Sequence, residues 1–164
     1  MVNTMTEEEK RLHCCCFTGH RPEKLSQPEH VVVEKLTKEI RQAIADGLNV
    51  FISGMARGVD IWAAEIVLSL RDVGEPIKLI CASPYEGFEA KWSADWQKRY
   101  NTIMQKADLV RFICPGYSRA CFQFRNEWMV DHSARVIAVF NGEKGGTKNT
   151  IDYAKIRNVT VLLI

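Results

Sequence analysis

The chain has none of the short motifs that announce the commonest metal or hydrolytic chemistries. Its six cysteines, Cys14, Cys15, Cys16, Cys81, Cys114 and Cys121, include no CxxC spacing, which excludes the usual zinc ribbon or dithiol redox site. Three of them are adjacent in an apolar run. Adjacent strand residues point to opposite faces, so these three cannot converge on one metal, and buried free thiols in strands are expected. With no HExxH pair and no G-x-S-x-G elbow, hydrolysis lacks its customary parts. Apolar runs stay far below the ~20 residues needed to span a bilayer. Neither sign of charge dominates: 22 basic against 20 acidic residues give a formal charge of +2, too balanced for a dedicated duplex-DNA binder. The stretch Met1 to Lys10 lacks the basic and then apolar regions of a secretory signal, so the expected location is the cytoplasm. Residues 1–11 are expected to be a frayed tail ahead of one domain, 12–164.

What is present is alternation. Short apolar runs near Leu12 to Thr18, Asn49 to Ser53, Ile77 to Ala82, Leu109 to Cys114, Arg135 to Phe140 and Val159 to Ile164 are separated by helical patterns. That order predicts an α/β, Rossmann-like, doubly wound and mainly parallel sheet of about six strands with helices on both faces. Ser26 and Glu29 have capping-box spacing ahead of the stripe Val33, Leu36, Ile40 and Ile44, with Gly47 at the helix end. Val59, Trp62, Ala63, Ile66, Val67 and Leu70 repeat at helical spacing and fix the inner face of a second helix. Further helices are expected over Phe88 to Ala107, Cys121 to Ser133 and Thr147 to Asn158. The default strand order is 3-2-1-4-5 with the sixth strand on one edge, and ligands of such sheets bind beyond the carboxyl ends of the strands.

That rule selects the loops. Thr18-Gly19-His20-Arg21-Pro22 follows the first strand and places a small residue before two side chains able to carry positive charge. Ser53-Gly54-Met55-Ala56-Arg57-Gly58-Val59-Asp60 joins a buried strand to the second helix; its glycines permit close approach, and the free N–H groups of a helix start favour an anion. Asn141-Gly142-Glu143-Lys144-Gly145-Gly146-Thr147 repeats the arrangement before the last helix, with Thr147 and Thr150 on its first turn. The Ser53 to Asp60 loop fits neither GxGxxG nor Walker A. Ordinary structural roles compete at each place: Arg57 pairing with Asp60, Asp60 stabilising the helix start, Trp128 and Met129 in the core, and Trp92, Trp96 and Tyr100 as core or groove lining.

Four segments stand out together: Thr18 to Pro22; Ser53 to Asp60 with Trp62-Ala63-Ala64-Glu65; Arg125-Asn126-Glu127-Trp128-Met129-Val130-Asp131; and Gly145-Gly146-Thr147 with Tyr153-Ala154. In them the chain resembles the YpsA-like family within the SLOG superfamily, which joins the DNA-processing protein DprA to the Lonely Guy nucleotide hydrolases. The resemblance implies a Rossmann-like fold whose glycine loops recognise a nucleotide or nucleotide-derived ligand. Lonely Guy enzymes carry PGGxGTxxE after a helix bearing an Arg-Lys pair. Here Arg125 matches the arginine, but Asn126 replaces the lysine and Thr150 stands in the glutamate's position. Cleaving a glycosidic bond calls on a carboxylate, which is absent at that place.

The expected ligand contacts are therefore Gly19, His20, Arg21, Ser53, Gly54, Met55, Arg57, Gly58, Asp60, Gly145, Gly146 and Thr147, with Arg125 as the candidate catalytic or charge-neutralising group. No metal and no cofactor is required. The expected partner is a phosphate-bearing nucleotide or nucleotide-derived small molecule, sensed rather than turned over, with no membrane role and a homo-oligomer left open. Two alternatives stand beside this: a nucleotide N-glycosidic hydrolase using Arg125 with Glu65 or Asp60, and DprA-like binding of single-stranded nucleic acid by Arg21, Arg57 and the Trp92 to Tyr100 face.

Overall fold

A computed structural model describes residues 4–164. Six strands, β1 (Cys14–Gly19), β2 (Val50–Ser53), β3 (Lys78–Ser83), β4 (Leu109–Phe112), β5 (Arg135–Val139) and β6 (Thr160–Leu163), form one sheet. Every pairing in it is parallel. The helices are α1 (Glu7–Arg11), α2 (Glu29–Ala45), α3 (Val59–Asp72), α4 (Ala94–Lys106), α5 (Cys121–Asp131) and α6 (Gly146–Ile156). The doubly wound α/β reading is thus the observed architecture.

Period-2 alternation in β1 divides the core in two. Cys15 and Phe17 face the layer of α2, α3 and α4 with Leu36, Ile40, Trp62, Val67, Tyr100 and Ile103. Cys14 and Cys16 face the opposite layer with Met129, Val130 and Ala154 of α5 and α6. The adjacent cysteines therefore diverge as expected. Burial holds Cys16 and Cys81 as thiols, with pKa values pushed up to about 12. Cys114 and Cys121 depart from the expectation of free thiols: they form a disulfide that closes the segment before α5.

The strand order is β4-β3-β2-β1-β5-β6, which corrects the default. The fourth strand extends the edge beside β3 instead of flanking β1, because α4 packs on the same face as α3, with Trp96 against Trp62. A right-handed crossover on an unchanged face continues outward. The crossover changes face at α5, which α6 follows, and the strand after α5, β5, lies beside β1. The reversal point of the sheet is consequently between β1 and β5.

Three local expectations also shift. Pro28, not Ser26, precedes α2, and no side chain caps that helix. The expected α2 stripe rotates slightly, with Val32, Leu36, Ile40 and Ala43 buried and Val33 and Ile44 packed at its margin. Helix α4 begins at Ala94 instead of Phe88; the preceding residues form turns, closed by Trp92 N–H to Glu89 O at 3.0 Å. Part of the stretch expected to fray carries α1, where Thr6 Oγ1 accepts from Glu9 N–H at 3.1 Å and Glu9 Oε2 accepts from Thr6 N–H at 3.2 Å. Residues 1–3 of that stretch lie outside the described residues. No helix among the described residues is long and apolar enough to cross a membrane.

Candidate functional site

At the β1/β5 reversal point the strand ends open into a cleft of about 580 Å³. Such a crevice forms because neighbouring crossovers depart toward opposite faces. Its wall on the β1 side is Thr18 to Arg21, which the other loops hold in place. Gly19 packs so closely on Val59 of α3 that a Cβ there would overlap it. The His20 ring stacks on Phe140, with centroids 5.7 Å apart, and its Nε2 accepts from Asn141 N–H at 3.1 Å. This bond requires the neutral ring with its proton on Nδ1. Burial likewise lowers the His20 pKa, Glu143 acting against it and Lys24 with it.

The floor comes from the loop after β2 and from α5. Ser53 Oγ donates to Asp60 O at 2.8 Å and accepts from Met55 N–H at 3.2 Å, which locks the loop while Met55 adopts a positive φ of 63°. Asp60 Oδ2 accepts from Ala56 N–H at 3.2 Å, whereas its Oδ1 is buried without a hydrogen-bond partner. Burial pushes the Asp60 carboxyl up to about 6, with Arg125 and the Ala56 amide pulling the other way. Arg125, itself buried, donates to Gly54 O and, through Nε, to Asn126 Oδ1 at 2.8 Å. Gly54 fits between the two charges: a Cβ there would lie 2.9 Å from Asp60 Oδ2 and 3.0 Å from Arg125 Cδ.

On the β5 side the N-terminus of α6 borders the cleft. Gly145 precedes it at φ 148°, ψ −165°, with no side-chain cap, a conformation open almost only to glycine. The first intrahelical bond of α6 is Asn149 N–H to Gly145 O at 3.0 Å, so the amides of Gly146, Thr147 and Lys148 have no partner within the helix. Thr150 does not face the cleft, because its hydroxyl donates back to Gly146 O at 2.8 Å.

Of the residues expected from sequence, Gly19, His20, Arg21, Arg57, Asp60, Arg125, Gly145, Gly146 and Thr147 line the cleft together. Ser53, Gly54, Met55 and Gly58 do not; they hold the loop beneath it. Arg57 pairs with Glu23 at 3.1 Å and not with Asp60. Glu65 lies elsewhere, bound to Arg99 at 2.6 Å in a groove between helices. The sequence reading missed Lys24, Lys144, Phe88 and Phe122 as lining residues, and it left Trp92 between core and groove. The available signal for Phe88 and Trp92 was an aromatic-rich segment directly after the carboxyl end of β3. Five lysines and arginines line the cleft against Asp60 and Glu143, so its field favours an anion.

A parallel, doubly wound sheet with a cationic crevice at its reversal point defines a Rossmann-like protein. Residues 15–161 match the YspA SLOG family, and the chain belongs to that family. It is 35% identical over 137 residues to the uncharacterised SPbeta prophage-derived protein YoqJ of Bacillus subtilis, covering 76% of each chain. It is 30% identical over 152 residues to a UPF0398 protein of Shouchella clausii, covering 87% of this chain and 81% of that one. Among solved structures it resembles DNA processing protein A from Helicobacter pylori, described for its single-stranded DNA binding mode, with a TM-score of 0.67 and 20% identity. That likeness covers 96% of this chain and 66% of the other. For the same protein from Streptococcus pneumoniae the TM-score is 0.63 at 18% identity, covering 90% of this chain and 49% of the other. At these identities the likeness to solved structures is one of fold.

Proposed function

We propose that the chain binds a phosphate-bearing, nucleotide-derived small molecule in the switch-point cleft and acts as a sensor or regulatory module. The observation that carries this reading is the α6 N-terminus, uncapped and bordered by Gly145, Gly146 and Lys144. Free amides and a helix dipole directed at one point suit a phosphate. Arg21, Lys24 and Arg57 supply further positive charge. Cytoplasmic residence accords with this role. Arg125 neutralises charge at the floor, and no cofactor is called for. Thr150 is tied to its own helix and Glu65 to Arg99, so a hydrolase would rest on Asp60 with Arg125.

Native mass spectrometry of freshly purified protein, followed by calorimetry with nucleoside 5′-mono- and diphosphates, tests binding. A co-purifying nucleotide mass or saturable binding is expected; a bare protein that binds none of them overturns the proposal. Base release from the monophosphates should stay at background. Release that disappears in folded Arg125→Ala protein would instead establish the hydrolase.

A second reading, single-stranded nucleic acid, is favoured by the fold shared with DNA processing protein A and by the exposed rings of Tyr117 and Phe124. Oligonucleotide affinity falling steeply with salt, together with no mononucleotide affinity, would select it.

A further inference from the structure

The cleft has a second pole that the glycine loops do not explain. Phe88 and Trp92, from the turns between β3 and α4, and Phe122, on the first turn of α5, contribute half-buried rings to its lining. The rings fix one another: Phe88 meets Trp92 edge-on at 5.1 Å between centroids and Phe122 in a tilted contact at 5.9 Å. Trp92 meets Tyr100 at 5.5 Å, and the Tyr100 hydroxyl is held by Ser83 at 2.7 Å. A wall interlocked in this way loses little freedom when a flat ligand settles on it.

The wall connects to the anion pole through the floor. The Arg125 guanidinium lies 6.0 Å from the Phe88 ring centroid, and its Nε donates to Asn126 at 2.8 Å. Asn126 Nδ2 in turn lies 3.8 Å from the Cβ position of Gly146. One continuous surface thus offers an aromatic platform at one end, the buried Arg125 in the middle and free helix amides at the other.

We propose that Phe88, Trp92 and Phe122 form a nucleobase subsite, so that the cleft takes a nucleotide with its base stacked on this wall and its phosphate at α6. This rests on the phosphate reading above. It goes further in requiring a flat heteroaromatic group, which separates nucleotides from sugar phosphates. A base stacked on an aromatic wall adds roughly tenfold to a hundredfold to affinity.

The test compares ribose 5-phosphate with the four common ribonucleoside 5′-monophosphates by calorimetry, on the native chain and on Phe122→Leu, which keeps an apolar side chain of similar bulk without the ring. At least one nucleotide should bind tenfold or more tightly than ribose 5-phosphate, and Phe122→Leu should remove most of that advantage while leaving ribose 5-phosphate unchanged. Saturation-transfer NMR on the native chain gives a readout independent of any variant: the base protons should receive more saturation than the ribose protons. If ribose 5-phosphate binds as tightly as every nucleotide, or the base protons receive less saturation, the base subsite is overturned and the phosphate site survives. Failure of all five probes to bind overturns the subsite as a site for nucleoside monophosphates, and if the nucleoside diphosphates fail as well the phosphate reading falls with it.

Discussion

Two loops of this molecule have the same appearance in sequence, glycines leading into a helix, yet they differ in what occupies the space the glycines leave. In the loop before α3 the protein fills that space itself. Gly58 sits at φ +94°, and a Cβ there would lie 2.9 Å from both His20 O and Pro22 Cδ. In the loop before α6, nothing lies within 4 Å of the Cβ positions of Gly142 and Gly145, and only Asn126 Nδ2 lies near that of Gly146. Glycine therefore serves close packing of loop on loop in one case and leaves an open approach in the other. Closure of the first loop is what holds His20 and Arg57 at the cleft; openness of the second is what an arriving anion would use.

The comparison breaks most visibly under matched substitutions. Gly58→Leu combines a disfavoured backbone conformation with overlap against backbone atoms, and it should cost at least about 3 kcal/mol. Gly146→Leu has room and no positive φ, so it should stay within about 1 kcal/mol of the parent while blocking phosphate. Urea midpoints paired with calorimetry read both effects. Equal stability of the two variants would mean that the loops do not differ in this way.

The floor between the loops gives a smaller and pH-dependent effect. The Asp60 carboxyl is raised from 3.8 to about 6, so between those values the native state binds a proton that the unfolded chain does not. Its stabilising contribution is full below about pH 4 and is lost as pH rises through about 6. The cost of the charged form at pH 8 is about 3 kcal/mol. Asp60→Asn mimics the protonated carboxyl, so it should gain up to that amount at pH 8 and nothing near pH 4. A variant less stable at pH 8 would show that attraction to Arg125 outweighs burial. An acid that weakens its own fold at neutral pH is characteristic of a functional site.

The fold was legible where periodicity decides it. Alternating cysteines located both faces of β1, and the Val59 to Leu70 stripe fixed the inward face of α3, because burial follows periods of 2 and 3.6. Strand order was not legible: it depends on which face α4 occupies, and a helix pattern gives an inner stripe without naming the sheet face beneath it. The glycine loops located the cleft but could not separate Gly58 from Gly146, since a glycine's neighbours are set by loops distant in sequence. The aromatic wall was hidden for the same reason. Phe88 and Trp92 precede α4 while Phe122 lies on the first turn of α5, and only the sheet order brings them together.

The smallest effect concerns His20, which joins the two contrasted loops. Its Nε2 can accept from Asn141 N–H only while the ring is neutral, and burial lowers its pKa below the ordinary 6.5. A lowered histidine makes its full contribution above the unfolded value, and that contribution is lost as pH falls through the folded one. Loss of this single bond should cost about 1 kcal/mol, with a sign opposite to that of Asp60 over part of the same acid range. Global unfolding would blend the two, so the measurement should be local. In a ¹H–¹⁵N titration the Asn141 amide should shift with the midpoint of the His20 ring, below 6.5, and Asp60→Asn should leave that transition in place. An Asn141 amide that stays still while His20 titrates would mean the ring does not tie the β1 loop to the α6 loop, and the open loop would then be positioned by Asn141 Nδ2 donating to Lys24 O at 2.9 Å.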